Sequence, residues 1–186
     1  ELISDGKKRH LSPEGRSVGL LFQDFALFPH LNVIQNVIFG IKYAGPSTEI
    51  KRHGMSLLER VGLSKSYKKY PHMLSGGEQQ RVALVRAIAP KPKVLLMDEP
   101  FSGLDNRLRD DIRDQTLALL KEEETAVLLV THDPAEAMRM ADSIALMYKG
   151  TILQEGAPYN IYNKPIDYRV ASFFSDVNII KGVVRQ

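Results

Sequence analysis

The sequence predicts an α/β fold: a mainly parallel sheet flanked by helices, with a helical subdomain set into the first half of the chain. Three observations predict it. The runs SVGLLFQ (17–23), KVLLMDEP (93–100) and TAVLLVTHD (125–133) are short and continuously apolar, the pattern of strands buried on both faces. Stretches with helical spacing separate them, which is the alternation of a parallel sheet. Late in the chain, DSIALMYKG (142–150) and TILQEG (151–156) meet at Lys149-Gly150 and read as an antiparallel hairpin added at the edge.

The first strand ends at Gln23. LNVIQNVIFGIKYA (31–44) then places Leu31, Ile34, Ile38 and Ile41 near helical spacing, and TEIKRHGMSLLERVG (48–62) repeats the amphipathic habit before a glycine stop. Residues 31–73 therefore form the expected helical subdomain. GEQQRVALVRAIA (77–89) is a helix closed by Pro90, and further helices are expected over about 105–124 and 134–141. The opening ELISDGKK has no initiator Met and reads as the tail of a strand followed by a turn, so the chain is expected to begin within a domain.

Composition narrows the function classes. The chain has 186 residues, enough for one domain with a substantial core. Its 25 Lys plus Arg against 22 Asp plus Glu leave +3, too little to imply nucleic acid, and the clusters Lys7-Lys8-Arg9 and Lys68-Lys69 read as solvated surface. With no cysteine, disulfides and thiol-bound metals are excluded, which suits a reducing cytoplasm. The five histidines, His10, His30, His53, His72 and His132, show no metal-ligand spacing. No apolar run approaches the roughly 18–20 residues of a membrane span, so a membrane role is expected to run through partners.

Chemistry gathers where strands end, because ligands of open parallel sheets sit at the carboxyl ends of the strands. Gln23, Asp98-Glu99 and His132 all fall there. A strand followed by two acids can complete a magnesium nucleotide site, with Asp98 on the metal's water shell and Glu99 taking a proton from an attacking water. The same pair also fits a plain exposed strand end. Gln23 could ligate magnesium or order water, and His132 could donate to a γ-phosphate oxygen. HMLSGGEQQR (72–81) sets Ser75, Gly76 and Gly77 at a helix start, where bare amides and the positive end of the helix dipole suit a phosphate. Equally, Ser75 is a good N-cap and the glycines a turn.

Taken in order after FQ, the motifs LSGGEQQR, VLLMDEP, SGLD and VTHD resemble the nucleotide-binding subunit of an ATP-binding cassette transporter, over residues 23–133. The resemblance implies a P-loop NTPase-like fold that binds ATP and Mg2+. It implies that Gln23 is the Q-loop glutamine, residues 74–78 the cassette signature with Glu78 in place of the frequent Gln, and Asp98 and Glu99 the Walker B pair. Asp105 matches the D-loop aspartate and His132 the switch histidine. Magnesium would be held through Gln23 and Asp98. In this family two cassettes close head to tail, so Ser75, Gly76, Gly77 and Glu78 would serve a nucleotide held by a partner cassette, most simply a second copy.

One departure matters. The Walker A loop, G-x-x-x-x-G-K-[ST], should lie upstream of Gln23 and is not in these 186 residues; GIKYAGPS (40–47) lies downstream and has Pro46 where the lysine belongs. Residues 1–176 are accordingly expected to be an incomplete cassette domain of a longer subunit, inactive alone, with 177–186 opening a C-terminal β-rich regulatory domain. The alternative is a non-catalytic half-site module that lends its signature to a competent partner.

FALFPHLNVIQNVIFGIK resembles the importer segment that receives a cytoplasmic helix of the membrane subunit, although Phe28 and Leu31 also fit a local core. The tail GTILQEGAPYNIYNKPIDYRVASFFSDVNIIKG resembles importers for ferric iron, polyamines, sulfate or maltose, and FQDFALFPHL leans toward ferric iron. The partners implied are transmembrane permease subunits, indirectly an external solute-binding protein, and no nucleic acid. The location implied is the cytoplasmic face of the cell membrane. DNA-repair cassettes, which insert long coiled coils, are disfavoured because no sustained heptads separate Gln23 from Leu74.

Overall fold

The computed structural model describes residues 12, 15–41, 46–104 and 106–180. They form two compact units, Glu1–Val130 and Thr131–Gln186.

In the first unit, strands β1 (Val18–Leu21), β2 (Val94–Asp98) and β3 (Ala126–Val130) form a parallel sheet in the order β1-β2-β3. The register sets Leu21 opposite Met97 and Asp98 opposite Val130. Each strand is shorter than its apolar run. β2 stops because Glu99 turns to φ +43°, outside the β region, although its N–H still donates to the Val130 carbonyl at 2.9 Å.

Helix α1 (Val33–Ile38) is also shorter than expected and ends just before Gly40; α2 (Ser47–Arg60) follows. Two 3-10 turns, Ser64–Ser66 and Pro71–Met73, lead to α3 (Gly76–Ile88), against which α1 and α2 pack. α3 buries Val82, Ala83, Leu84, Val85, Ala87 and Ile88, and crosses β1 so closely that a Cβ on Gly19 would lie 2.8 Å from the Ala87 carbonyl oxygen. Only glycine permits that approach. α4 (Asn106–Glu122) packs on α3, and both Glu122 and its neighbour Glu123 pair with Arg60 at the end of α2.

Two expectations need correction. The apolar runs imply a sheet covered on both faces, yet only the face carrying Gly19, Leu21, Leu95 and Met97 is covered within this unit. On the other face Leu20, Leu128 and Val130 are 48%, 59% and 52% exposed. The hairpin β4 (Ile144–Tyr148) and β5 (Thr151–Gly156) is not an edge of the parallel sheet either, but a separate two-stranded sheet in the second unit. The reason is that Ile144 and Leu146 serve a different core, with Ala137, Ile161 and Val170. The turn itself is as expected, with Lys149 and Gly150 both at positive φ, as a two-residue hairpin loop requires.

That second unit adds α5 (Pro134–Met140), α6 (Pro158–Asn163) and α7 (Tyr168–Phe174). Gln154 on β5 donates to the Lys164 carbonyl and accepts from the Ile166 N–H, fixing the link between α6 and α7. Among the described residues no helix is long and apolar enough to cross a membrane.

Candidate functional site

An open concavity of about 610 Å3 sits at the carboxyl ends of β1 and β2, lined by Phe22, Gln23, Asp24, Asp98, Ser102 and Gly103. Gln23 and Asp98 are thus brought together although they lie far apart in sequence. Both are exposed, and Glu99, next to Asp98 in the chain, is half-buried. The Glu99 carbonyl accepts from the Ser102 N–H and hydroxyl, which curls residues 99–102 into the rim. Among the described residues no cluster of three or more His, Asp or Glu forms a protein-only metal cage. Two oxygen donors on an open rim nevertheless suit magnesium, which keeps several waters and takes its remaining ligands from phosphate.

The loop that carries Gln23 is held from two sides. Asn36, fully buried on α1, accepts from the Phe28 N–H at 2.9 Å and donates to the carbonyls of Phe28, Leu31 and Asn32 at 3.1, 2.9 and 3.1 Å. Arg86 on α3 donates to the Ala26 and Phe25 carbonyls at 2.6 and 2.9 Å. Neither residue stands out in a reading for motifs. Asn36 had a faint signal, as a polar residue inside an apolar helical run.

At the start of α3 the structure realises the cap. The Ser75 hydroxyl accepts from the Glu78 N–H at 3.3 Å, while the Glu78 carboxylate accepts from the Ser75 N–H at 2.9 Å and from the Ser75 hydroxyl at 3.0 Å. Ser75 and Gly76 are exposed, Gly77 is buried, and a Cβ on Gly76 would meet only open space. Ser75–Glu78 are not among the residues that line the concavity. His132 belongs to the second unit, where it is exposed. Its neighbours are anchored: Thr131 donates to the buried Glu136 at 2.5 Å and accepts from the Asp133 N–H at 3.0 Å, and Asp133 caps α5. Asp105 lies outside the described residues.

A family model described as ABC transporter matches residues 3–102, more than half of the chain. The chain belongs to the ABC transporter family. Among curated ABC relatives, the sulfate/thiosulfate import ATP-binding protein CysA of Mycobacterium bovis is 45% identical over 171 residues, 91% of this chain and 49% of CysA. The spermidine/putrescine import ATP-binding protein PotA of Pseudomonas fluorescens is 42% identical over 194 aligned positions, covering all of this chain and 54% of PotA. The chain therefore spans about half the length of these relatives. Among solved structures, CbiO1 of Clostridium perfringens, part of the ABC transporter complex CbiONQ, superposes with a TM-score of 0.73 at 31% identity, over 80% of this chain and 60% of CbiO1. The α/β fold with its parallel sheet is the ABC ATPase fold.

In this ABC chain the Glu78 carboxylate occupies both the N–H and the hydroxyl of Ser75. The hydrogen bond from the Ser75 backbone, then that from its hydroxyl and the charges of Lys69 and Arg81, hold Glu78 below its ordinary value of 4.5, against a desolvation that opposes them. A lowered folded-state value means that the ionised cap stabilises above pH 4.5, and that this stabilisation is lost as pH falls through the lower folded value. Glu78→Gln should therefore melt below the unsubstituted chain near neutral pH and converge with it in acid. Paired thermal melts from pH 7 to pH 3 check this; a constant difference across the range would remove the charged cap.

Proposed function

We propose that these residues are about half of the ATP-binding subunit of an ABC importer, whose ATP hydrolysis drives solute entry through membrane-spanning permease subunits at the cytoplasmic face of the cell membrane. The observation that carries the proposal is the meeting of Gln23 and Asp98 on one open concavity at the strand ends. The import ATP-binding proteins among the relatives support it.

In this reading Gln23 and Asp98 hold magnesium and its water shell. When bound, the metal neutralises charge on the phosphates and orders them for in-line attack. Glu99 accepts the proton of the attacking water, and His132 donates to a γ-phosphate oxygen. Ser75, Gly76, Gly77 and Glu78 serve the nucleotide of a second cassette, taken to be another copy of the subunit, and Asp105 is the D-loop aspartate that contributes to nucleotide binding. Phe28 and Leu31 are partly buried while Phe39, its ring tilted 44° against that of Phe28 with centroids 4.4 Å apart, is 63% exposed, an apolar lip suited to a permease helix. For the solute, the FQDFALFPHL wording favours ferric iron, whereas the relatives' names carry sulfate/thiosulfate and spermidine/putrescine. Competing uptake of the labelled solutes decides among them.

Steady-state phosphate release tests the reading. The full-length subunit should turn over ATP only with magnesium, whereas residues 1–186 alone, without a Walker A lysine, should release little or none. A full-length subunit that binds ATP but never hydrolyses it would instead establish the non-catalytic half-site module.

A further inference from the structure

α3 carries two things at once: the signature turn Ser75–Glu78 at its start and, ten residues on, the guanidinium that grips the Gln23 loop. We propose that Arg86 is a positioning residue that couples Gln23 to the signature turn through α3. The inference rests on the assignment of Gln23 to the magnesium nucleotide site.

Four observations carry it. Arg86 spends its two terminal nitrogens on two successive carbonyls, those of Phe25 and Ala26, at 2.9 and 2.6 Å. Phe25 and Ala26 stand at φ +61° and +43°, a left-handed conformation that is unfavourable for a side-chain-bearing residue and persists only where the surroundings impose it. Two consecutive residues so turned present their carbonyls to one side, where a planar fork can take both. The same guanidinium lies 5.3 Å from the centroid of the Phe28 ring, whose backbone Asn36 fixes. Burial pushes Arg86 down from its ordinary value and the charge of Asp24, next to Gln23, opposes that shift, so the cation is partly desolvated against this loop.

α3 is a continuous helix over Gly76–Ile88, so Arg86 and Gly76 are held about 15 Å apart at 1.5 Å per residue. A displacement of the signature turn along α3 must therefore pull on Phe25 and Ala26, and through them on Gln23. A lysine could satisfy one carbonyl but not the pair.

The test uses the full-length subunit with its permease. Arg86→Met, which keeps the aliphatic stem, should raise the apparent KM for Mg2+ at least five-fold and lower kcat at least ten-fold, with ATP affinity in EDTA within two-fold of the unsubstituted subunit. Arg86→Lys should fall between them, and it carries the test if the Met variant does not fold. In a Gln23→Ala background, Arg86→Met should add no further loss, because the arginine acts through that glutamine. Additive losses, or an unchanged Mg2+ KM alongside a lowered melting temperature, would reduce Arg86 to packing and overturn the proposal. An unsubstituted full-length subunit with no magnesium-dependent hydrolysis would overturn the importer ATPase reading and this inference together.

Discussion

Glu99→Gln in the full-length subunit slows ATP hydrolysis by roughly 10²–10⁴-fold, the usual contribution of a positioned general base, while ATP still binds. The substitution is close to isosteric, so the backbone contacts that shape the strand end, Glu99 N–H to Val130 and Ser102 to the Glu99 carbonyl, are untouched. What changes is the capacity to take up a proton. With chemistry blocked and nucleotide retained, the closed two-cassette state should accumulate and elute as a dimer in ATP. Single-turnover hydrolysis and nucleotide titration separate the two effects. Unchanged hydrolysis would strip Glu99 of its role and leave it a structural acid at a strand end.

The second large effect is on stability. Asn36→Ala should destabilise the first unit by about 3 kcal/mol, because it orphans the part-buried Phe28 N–H and Leu31 carbonyl, at about 1–3 kcal/mol for each unsatisfied group. The Asn32 carbonyl keeps its helical partner, the Asn36 N–H at 2.8 Å, and the Phe28 carbonyl keeps the Leu31 N–H at 3.2 Å. For a chain of this size the melting temperature should fall by roughly 6–12 °C. Denaturant unfolding gives the free energy directly; a loss under about 0.5 kcal/mol would show that water replaces the amide, and Asn36 would not be the pin of the Gln23 loop.

These two residues mark what could and could not be read from sequence. The place of Glu99 at a strand end was legible because an apolar run closed by acids is a local signature, and the three parallel strands were legible from their apolar runs. Their ends were not, since the turn at Glu99 is set by a conformation rather than by composition. Arg86 escaped because it acts across the fold, reaching carbonyls sixty and sixty-one positions earlier, whereas Asn36 bonds only four to eight positions back and showed as no more than a polar residue in an apolar run. Such pairings have no period along the chain. The hairpin was placed correctly as a hairpin and wrongly as an edge of the parallel sheet, because alternation specifies that a face is buried without specifying which core buries it. At Ser75 the sequence supported both an anion site and a helix cap, and the Glu78 carboxylate makes the cap the resting arrangement.

The positive φ of Glu99 has a consequence for how this sequence can drift. A glutamate in the left-handed region is held there at a penalty that glycine escapes and asparagine reduces, by roughly 1–2 kcal/mol at most. Replacement of Glu99 by Gly or Asn would therefore relax the backbone while removing the proposed proton acceptor. Selection for robustness alone pulls this position toward an inert residue, and only selection for turnover opposes it. Laboratory evolution under heat without an activity screen would be expected to settle on that position early, yielding a sturdier protein that has lost its chemistry.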